Sequence, residues 1–114
     1  MSSQVADLIS IANLAKSTIW ANLENISTQA GYETGWNVIA NYAGYVSAQV
    51  FSSTTDNIYV RVTYSSHGVN YDNQISVGIG GTAVFPVLPA PIQISVGNPG
   101  MTAATTIVTI IYYY

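Results

Sequence analysis

The sequence predicts a mainly β protein, an antiparallel β-sandwich of jelly-roll-like or immunoglobulin-like type preceded by one N-terminal α-helix. Three features predict it. Apolar residues recur at helical spacing up to residue 28 and stop short of Gly31, a residue suited to ending a helix. The chain then changes to apolar–polar alternation broken by turn formers, giving about seven short strands. It closes on the β-branched run 105–111 followed by Tyr112, Tyr113 and Tyr114. Residues 1–30 are therefore expected to form an amphipathic helix, used for packing or assembly, and residues 31–114 the sandwich domain.

Within the helical stretch, Val5, Leu8, Ile9, Ala12, Ala15, Ile19, Leu23 and Ile26 share one face at 100° per residue, with Trp20 at its margin. Ser2 or Ser3 can cap the start, and Asp7 suits the positive end of the helix dipole. Lys16 interrupts the apolar face. Its stem can cover apolar surface while the ammonium reaches water beside Trp20. Ile11 and Leu14 lie off that face and admit two readings, scattered surface residues or a second contact with a neighbouring subunit.

The first strand of the sandwich is read over 36–42 and the second over 45–52, where Val46, Ala48 and Val50 alternate with Tyr45, Ser47, Gln49 and Phe51. A turn at 52–57 leads to the clearest strand, 58–64, with Ile58, Val60, Val62 and Tyr64 on one face and Tyr59, Arg61 and Thr63 opposite. Residues 65–73 are rich in turn formers and read as a loop. Further strands follow at 74–79, 82–88, 91–96 and 105–113. Pro86, Pro89 and Pro91 point to an edge strand or a kinked crossing, because proline cannot donate to a ladder. Gln74-Ile75-Ser76-Val77-Gly78 recurs as Gln93-Ile94-Ser95-Val96-Gly97. A duplicated hairpin and two strands ending in similar turns both account for this echo, and two copies favour the second.

The chain of 114 residues is the size of one ordinary domain, yet only 6% of it is charged, against about 25% in a typical soluble domain. One lysine and one arginine, far apart, leave no basic patch for nucleic acid or an anionic membrane. No apolar run approaches the roughly 20 residues of a membrane span, and no basic segment followed by an apolar run marks a secretory signal. A neutral surface changes little when carboxylates protonate, so acid tolerance is expected. Low net charge also gives weak repulsion between copies, which favours self-association.

Catalysis is not expected. The five acids are scattered singly, so no carboxylate pair is set up for acid–base work. Ser65 or Ser66, His67 and Asp72 spell a triad only by crowding one loop, and no nucleophile elbow occurs. With one histidine and no cysteine there is no metal site, and the glycine clusters lack the lysine of a phosphate loop, so no cofactor is expected. Two features point to binding. The C-terminal strand with Tyr112, Tyr113 and Tyr114 either lies centrally in its own sheet or adds to a neighbour's edge. Together with Ile11, Leu14 and Trp20 these tyrosines form the candidate subunit interface. In the loop 65–73, Tyr71 flanked by Asn70, Asp72 and Asn73 could stack on and hydrogen-bond a sugar.

Low charge, abundant Tyr, Ser, Thr, Asn and Ile, no cysteine and an all-β body after a helix resemble structural proteins of viruses and surface filaments from acidic hot-spring archaea. The resemblance is compositional and spans the whole chain. It implies a non-enzymatic structural subunit of a larger assembly, a capsid, penton, turret or filament component in a virion or outside the cell, partnered by itself and other structural subunits. The alternative is a small carbohydrate-binding, lectin-like sandwich module.

Overall fold

The computed structural model of the protein describes residues 16–52, 58–78, 80–101 and 103–114. Over these the chain forms eight strands: β1 (Ser17–Thr28), β2 (Glu33–Ala40), β3 (Gly44–Ser52), β4 (Ile58–Ser66), β5 (Val69–Val77), β6 (Thr82–Val87), β7 (Ala90–Gly97) and β8 (Ala104–Tyr113). They make two four-stranded antiparallel sheets, sheet A in the order β1-β8-β3-β6 and sheet B in the order β2-β7-β4-β5. The pairing is nested: first strand with eighth, second with seventh, third with sixth, fourth with fifth. Such nesting is one long hairpin rolled across two sheets, the jelly-roll order rather than the immunoglobulin-like one.

The N-terminal expectation needs correction. Residues 17–28 are a strand, not a helix, and the sandwich begins at Ser17. Register shifts between Ile19 and Ala21 and again between Ala21 and Glu24 break the alternation, so Ala21, Ile26 and Thr28 point inward at irregular spacing. These bulges place apolar residues at intervals that imitate a helical face. Leu23, in the second irregular segment, takes a positive φ of 54°. Residues 1–15 of the expected helix, with Ile11 and Leu14, lie outside the described residues.

The seven strands read from residue 36 onward are all present. β5 starts earlier than expected because 65–73 is not a loop. His67 and Gly68, with φ of 51° and 78°, form the tight left-handed turn of a two-residue hairpin, and β4 and β5 stay paired up to Ser66 and Val69. Pro86 does lie on an edge strand, β6. Pro91 instead lies in central β7, where it pairs with Ile39 and sits beyond the last β4 partner, Ile92. β8 is bordered by β1 and β3 along its own sheet, so neither edge is available for donation to a neighbour.

Alternation places Ile58, Val60 and Val62 from β4, Ile92, Ile94 and Val96 from β7, Val46 and Val50 from β3, Val108 and Ile110 from β8, and Phe85 from β6 in a fully buried layer between the sheets. Each such side chain contributes on the order of 1.5–3 kcal/mol through removal from water. Gly44 fits where the strands meet because a Cβ there would collide with the Tyr113 carbonyl.

Candidate functional site

The outer face of sheet B gathers most of the charged side chains among the described residues. Cross-strand register sets Glu33, Gly97, Tyr59 and Ser76 in one row, Gly35, Ser95, Arg61 and Gln74 in the next, and Asn37, Gln93, Thr63 and Asp72 in the third. Of the five Asp, Glu, Lys and Arg residues among those described, Glu33, Arg61 and Asp72 meet here. Their side chains are 32, 38 and 51% exposed, open to a ligand from solvent.

Arg61 organises the cluster. Its Nε donates to Asp72 Oδ1 at 2.8 Å and its Nη2 to Asp72 Oδ2 at 2.7 Å, a bidentate fork, while Nη1 lies 3.5 Å from Glu33 Oε1. The guanidinium holds the Asp72 carboxyl below the usual carboxylate range, and Asp72 in turn raises the pKa of Arg61. A depressed carboxylate favours the fold at pH above its ordinary value and loses that contribution as the pH falls through its lowered one. On this open surface solvent screens the effect.

Tyr59 lies across the strand beside it. The space that a side chain on Gly97 would occupy is filled by the Tyr59 ring, which therefore rests on β7, and the phenol donates to Glu33 Oε1 at 2.5 Å. Glu33 is placed over this strand by a knot of hydrogen bonds centred on Asn98. Asn98 N–H donates to the Tyr32 carbonyl at 3.0 Å, Gly31 N–H to the Asn98 carbonyl at 2.8 Å, and Asn98 Nδ2 to the Thr28 carbonyl at 3.2 Å. Burial, reinforced by the Glu33 carboxylate, pushes the Tyr59 pKa up to about 12. The neutral phenol thus stabilises the fold below its ordinary pKa of about 10, and that contribution is lost as the pH rises through the folded value. Urea midpoints are expected to fall between pH 10 and 12, and to fall less in Tyr59→Phe. An equal decline in the variant would disprove this coupling.

The repeated Gln-Ile-Ser-Val-Gly segments turn out to flank β4 on both sides. β5 carries Gln74 opposite Arg61, and β7 carries Gln93 opposite Thr63 and Ser95 opposite Arg61. Each copy sends its Ile and Val into the core and its Gln and Ser toward the cluster, offset by two residues.

The candidate sugar residues separate by strand alternation. Asp72 and Asn70 face the cluster side, whereas Tyr71 faces the other way, stacked on Tyr64 at 4.8 Å, and Asn73 Nδ2 lies 3.4 Å from the Tyr71 hydroxyl. The candidate triad does not assemble. Ser66 is buried and donates to the Pro89 carbonyl at 2.8 Å, His67 sits at the hairpin tip, and Asp72 is three residue pairs away, about 10 Å along the strand. Among the described residues no group of three His, Asp or Glu side chains is placed to hold a metal, and no helix is long and apolar enough to cross a membrane.

Of the candidate interface residues among those described, Trp20, Tyr112 and Tyr114 stack together and Tyr113 points the other way. Trp20 stacks on Tyr112 at 4.6 Å, Tyr112 on Tyr114 at 4.7 Å and Tyr114 on Tyr42 at 5.6 Å. Tyr112 is itself buried, donating its hydroxyl to the Tyr42 carbonyl and accepting from the Tyr42 N–H at 3.0 Å. Only Tyr113 of the three points out of sheet A, half-buried beside Tyr45.

No protein-family model and no curated protein matches the chain. Among solved structures it is similar to a family 36 carbohydrate-binding module in complex with calcium and xylotriose, with a TM-score of 0.48, 12% identity, and 88% of this chain and 100% of that one covered. A family 16 carbohydrate-binding module aligns with a TM-score of 0.46, 11% identity, and 78% and 74% covered. A de novo designed double-stranded β-helix aligns with a TM-score of 0.46, 13% identity, and 88% and 100% covered.

Proposed function

We propose that the chain is a non-enzymatic carbohydrate-binding module whose ligand lies on the outer face of sheet B. Of the two readings the sequence admits, assembly subunit and glycan module, this face favours the second. The observation that carries it is the convergence of Glu33 and Asp72 on Arg61, with the Tyr59 phenol bonded to Glu33, in a chain of which only 6% is charged. Neighbouring sugar hydroxyls are each donor and acceptor, and they match forked groups such as a guanidinium, a carboxylate or an amide. The Tyr59 ring supplies an apolar surface for the C–H face of a pyranose, with Gln74, Gln93 and Asn37 at hand for its rim. The same ties argue against hydrolysis. Asp72 is held ionised by Arg61, which suits a binding carboxylate and not a proton donor.

The test is an array of neutral oligosaccharides followed by titration calorimetry on the sugars that bind. Arg61→Ala is expected to weaken binding about tenfold or more, since one charged hydrogen-bonding partner is removed. His67→Ala, at the remote hairpin tip, should leave it unchanged. Failure to bind any sugar, or undiminished binding by Arg61→Ala, would rule the site out.

A further inference from the structure

We propose that the outer face of sheet A is an interface with a second copy of this chain, the two sheets meeting face to face about a two-fold axis. Among the described residues the face carries no carboxylate, amine, guanidinium or imidazole side chain. Lys16 and Glu24 on its border pair with Tyr114 and Val108, whose neighbours in alternation, Tyr113 and Ile107, are the ones that point outward. What the face does present is two rows of mainly apolar residues. Register sets Ile19, Ile111, Ser47 and Val84 in one row, and Asn25, Ile107 and Phe51 in another. Ile19, Phe51, Val84 and Ile107 are between 40 and 58% exposed, despite their size.

The arrangement complements itself. Between the two apolar rows runs a stripe of Thr109, Gln49 and Thr82, polar but uncharged. A two-fold axis lying along that stripe brings the upper apolar row of one copy onto the lower row of the other and lays the stripe on itself. Hydroxyls and amides, each donor and acceptor, can then pair across the axis, and no ion is desolvated. Four strands about 4.8 Å apart and about seven residues long cover on the order of 450 Å² in plan. Two copies would therefore bury on the order of 1,000 Å², the lower end for a specific and reversible interface. A partner with a charged surface would have to strip its ions of water here without compensation. The outer face of sheet B is excluded as a heterologous partner by the same reasoning, because of Arg61, Glu33 and Asp72. This proposal is independent of the glycan reading, which concerns the opposite face.

Sedimentation velocity on the full chain over a concentration series tests it. A dimer is expected to form at about 10–100 µM, the range an interface of this size allows. Val84→Lys and Ile107→Lys, one in each apolar row and both at exposed positions, should each weaken the dimer at least tenfold, while Arg61→Ala on sheet B leaves it unchanged. The wild-type series decides without any variant: a monomer at every concentration up to about 300 µM overturns the proposal. An oligomer that keeps its affinity in both lysine variants also overturns it.

Discussion

Replacing Phe85 by alanine is expected to cost the fold about 3–5 kcal/mol, a large share of the about 5–15 kcal/mol that typically holds a domain of this size together. Among the described residues Phe85 is the largest fully buried side chain. It projects from edge strand β6, opposite Val46 on β3, and it fills the layer between two sheets. Removing the ring deletes its transfer from water and leaves a cavity that a sandwich cannot readily close, because the facing strands are fixed by their own ladders. Chemical denaturation followed by far-ultraviolet circular dichroism measures the loss. A decrease below about 1 kcal/mol would show that β6 collapses onto the gap, and that this edge is less firmly packed than its burial indicates.

Gly44→Ala is the second large effect, and it acts by overpacking rather than by loss. The added Cβ meets the Tyr113 carbonyl oxygen and carbon, both main-chain atoms, at the point where β3 and β8 begin their ladder. A flexible side chain would move aside, but a carbonyl in a central strand cannot do so without breaking the register Tyr45–Tyr113. The expected cost is about 3 kcal/mol or more, at or beyond the upper end for ordinary overpacking. Gly68→Ala makes an instructive comparison, since open space surrounds that site and only the left-handed φ of 78° opposes the substitution. A thermal melt in which Gly44→Ala is no less stable than Gly68→Ala would contradict this assignment.

How much of this was legible in the sequence depended on whether alternation survived. In β4 it runs without interruption, so Ile58, Val60 and Val62 were readable as core and Tyr59, Arg61 and Thr63 as the opposite face. In β1 two bulges destroyed the period, and the resulting spacing of Ile19, Leu23 and Ile26 imitates a helix. The hairpin at His67 and Gly68 was read as a loop because its turn formers spread over nine residues, while the two positive φ angles that close it depend on backbone geometry. Of the charged cluster, Asp72 was named from the sequence as a candidate sugar contact and Arg61 was placed on the outer face of a clear strand, but Glu33 and Asp72 come from β2 and β5, and only the strand order and register bring the three together. The repeated Gln-Ile-Ser-Val-Gly segment was the one available signal that two strands share a role beside Arg61.

The nested pairing of strands also sets an order on how the chain can reach this state. The cheapest closure in the molecule is the two-residue turn between β4 and β5, whereas β1 and β8 join residues as distant as Ser17 and Tyr113. Each doubling of a loop adds only about 0.6 kcal/mol of entropy cost, yet topologies ruled by distant pairings fold in milliseconds to seconds rather than microseconds. Every inner pair that forms shortens the loop left for the next, so assembly runs outward from the central hairpin like a zipper. Until β1 arrives last, β8 has one bare edge along an apolar, β-branched, uncharged strand, and no lysine or proline guards it. The last pairing to close is thus also the one that covers the longest exposed apolar edge.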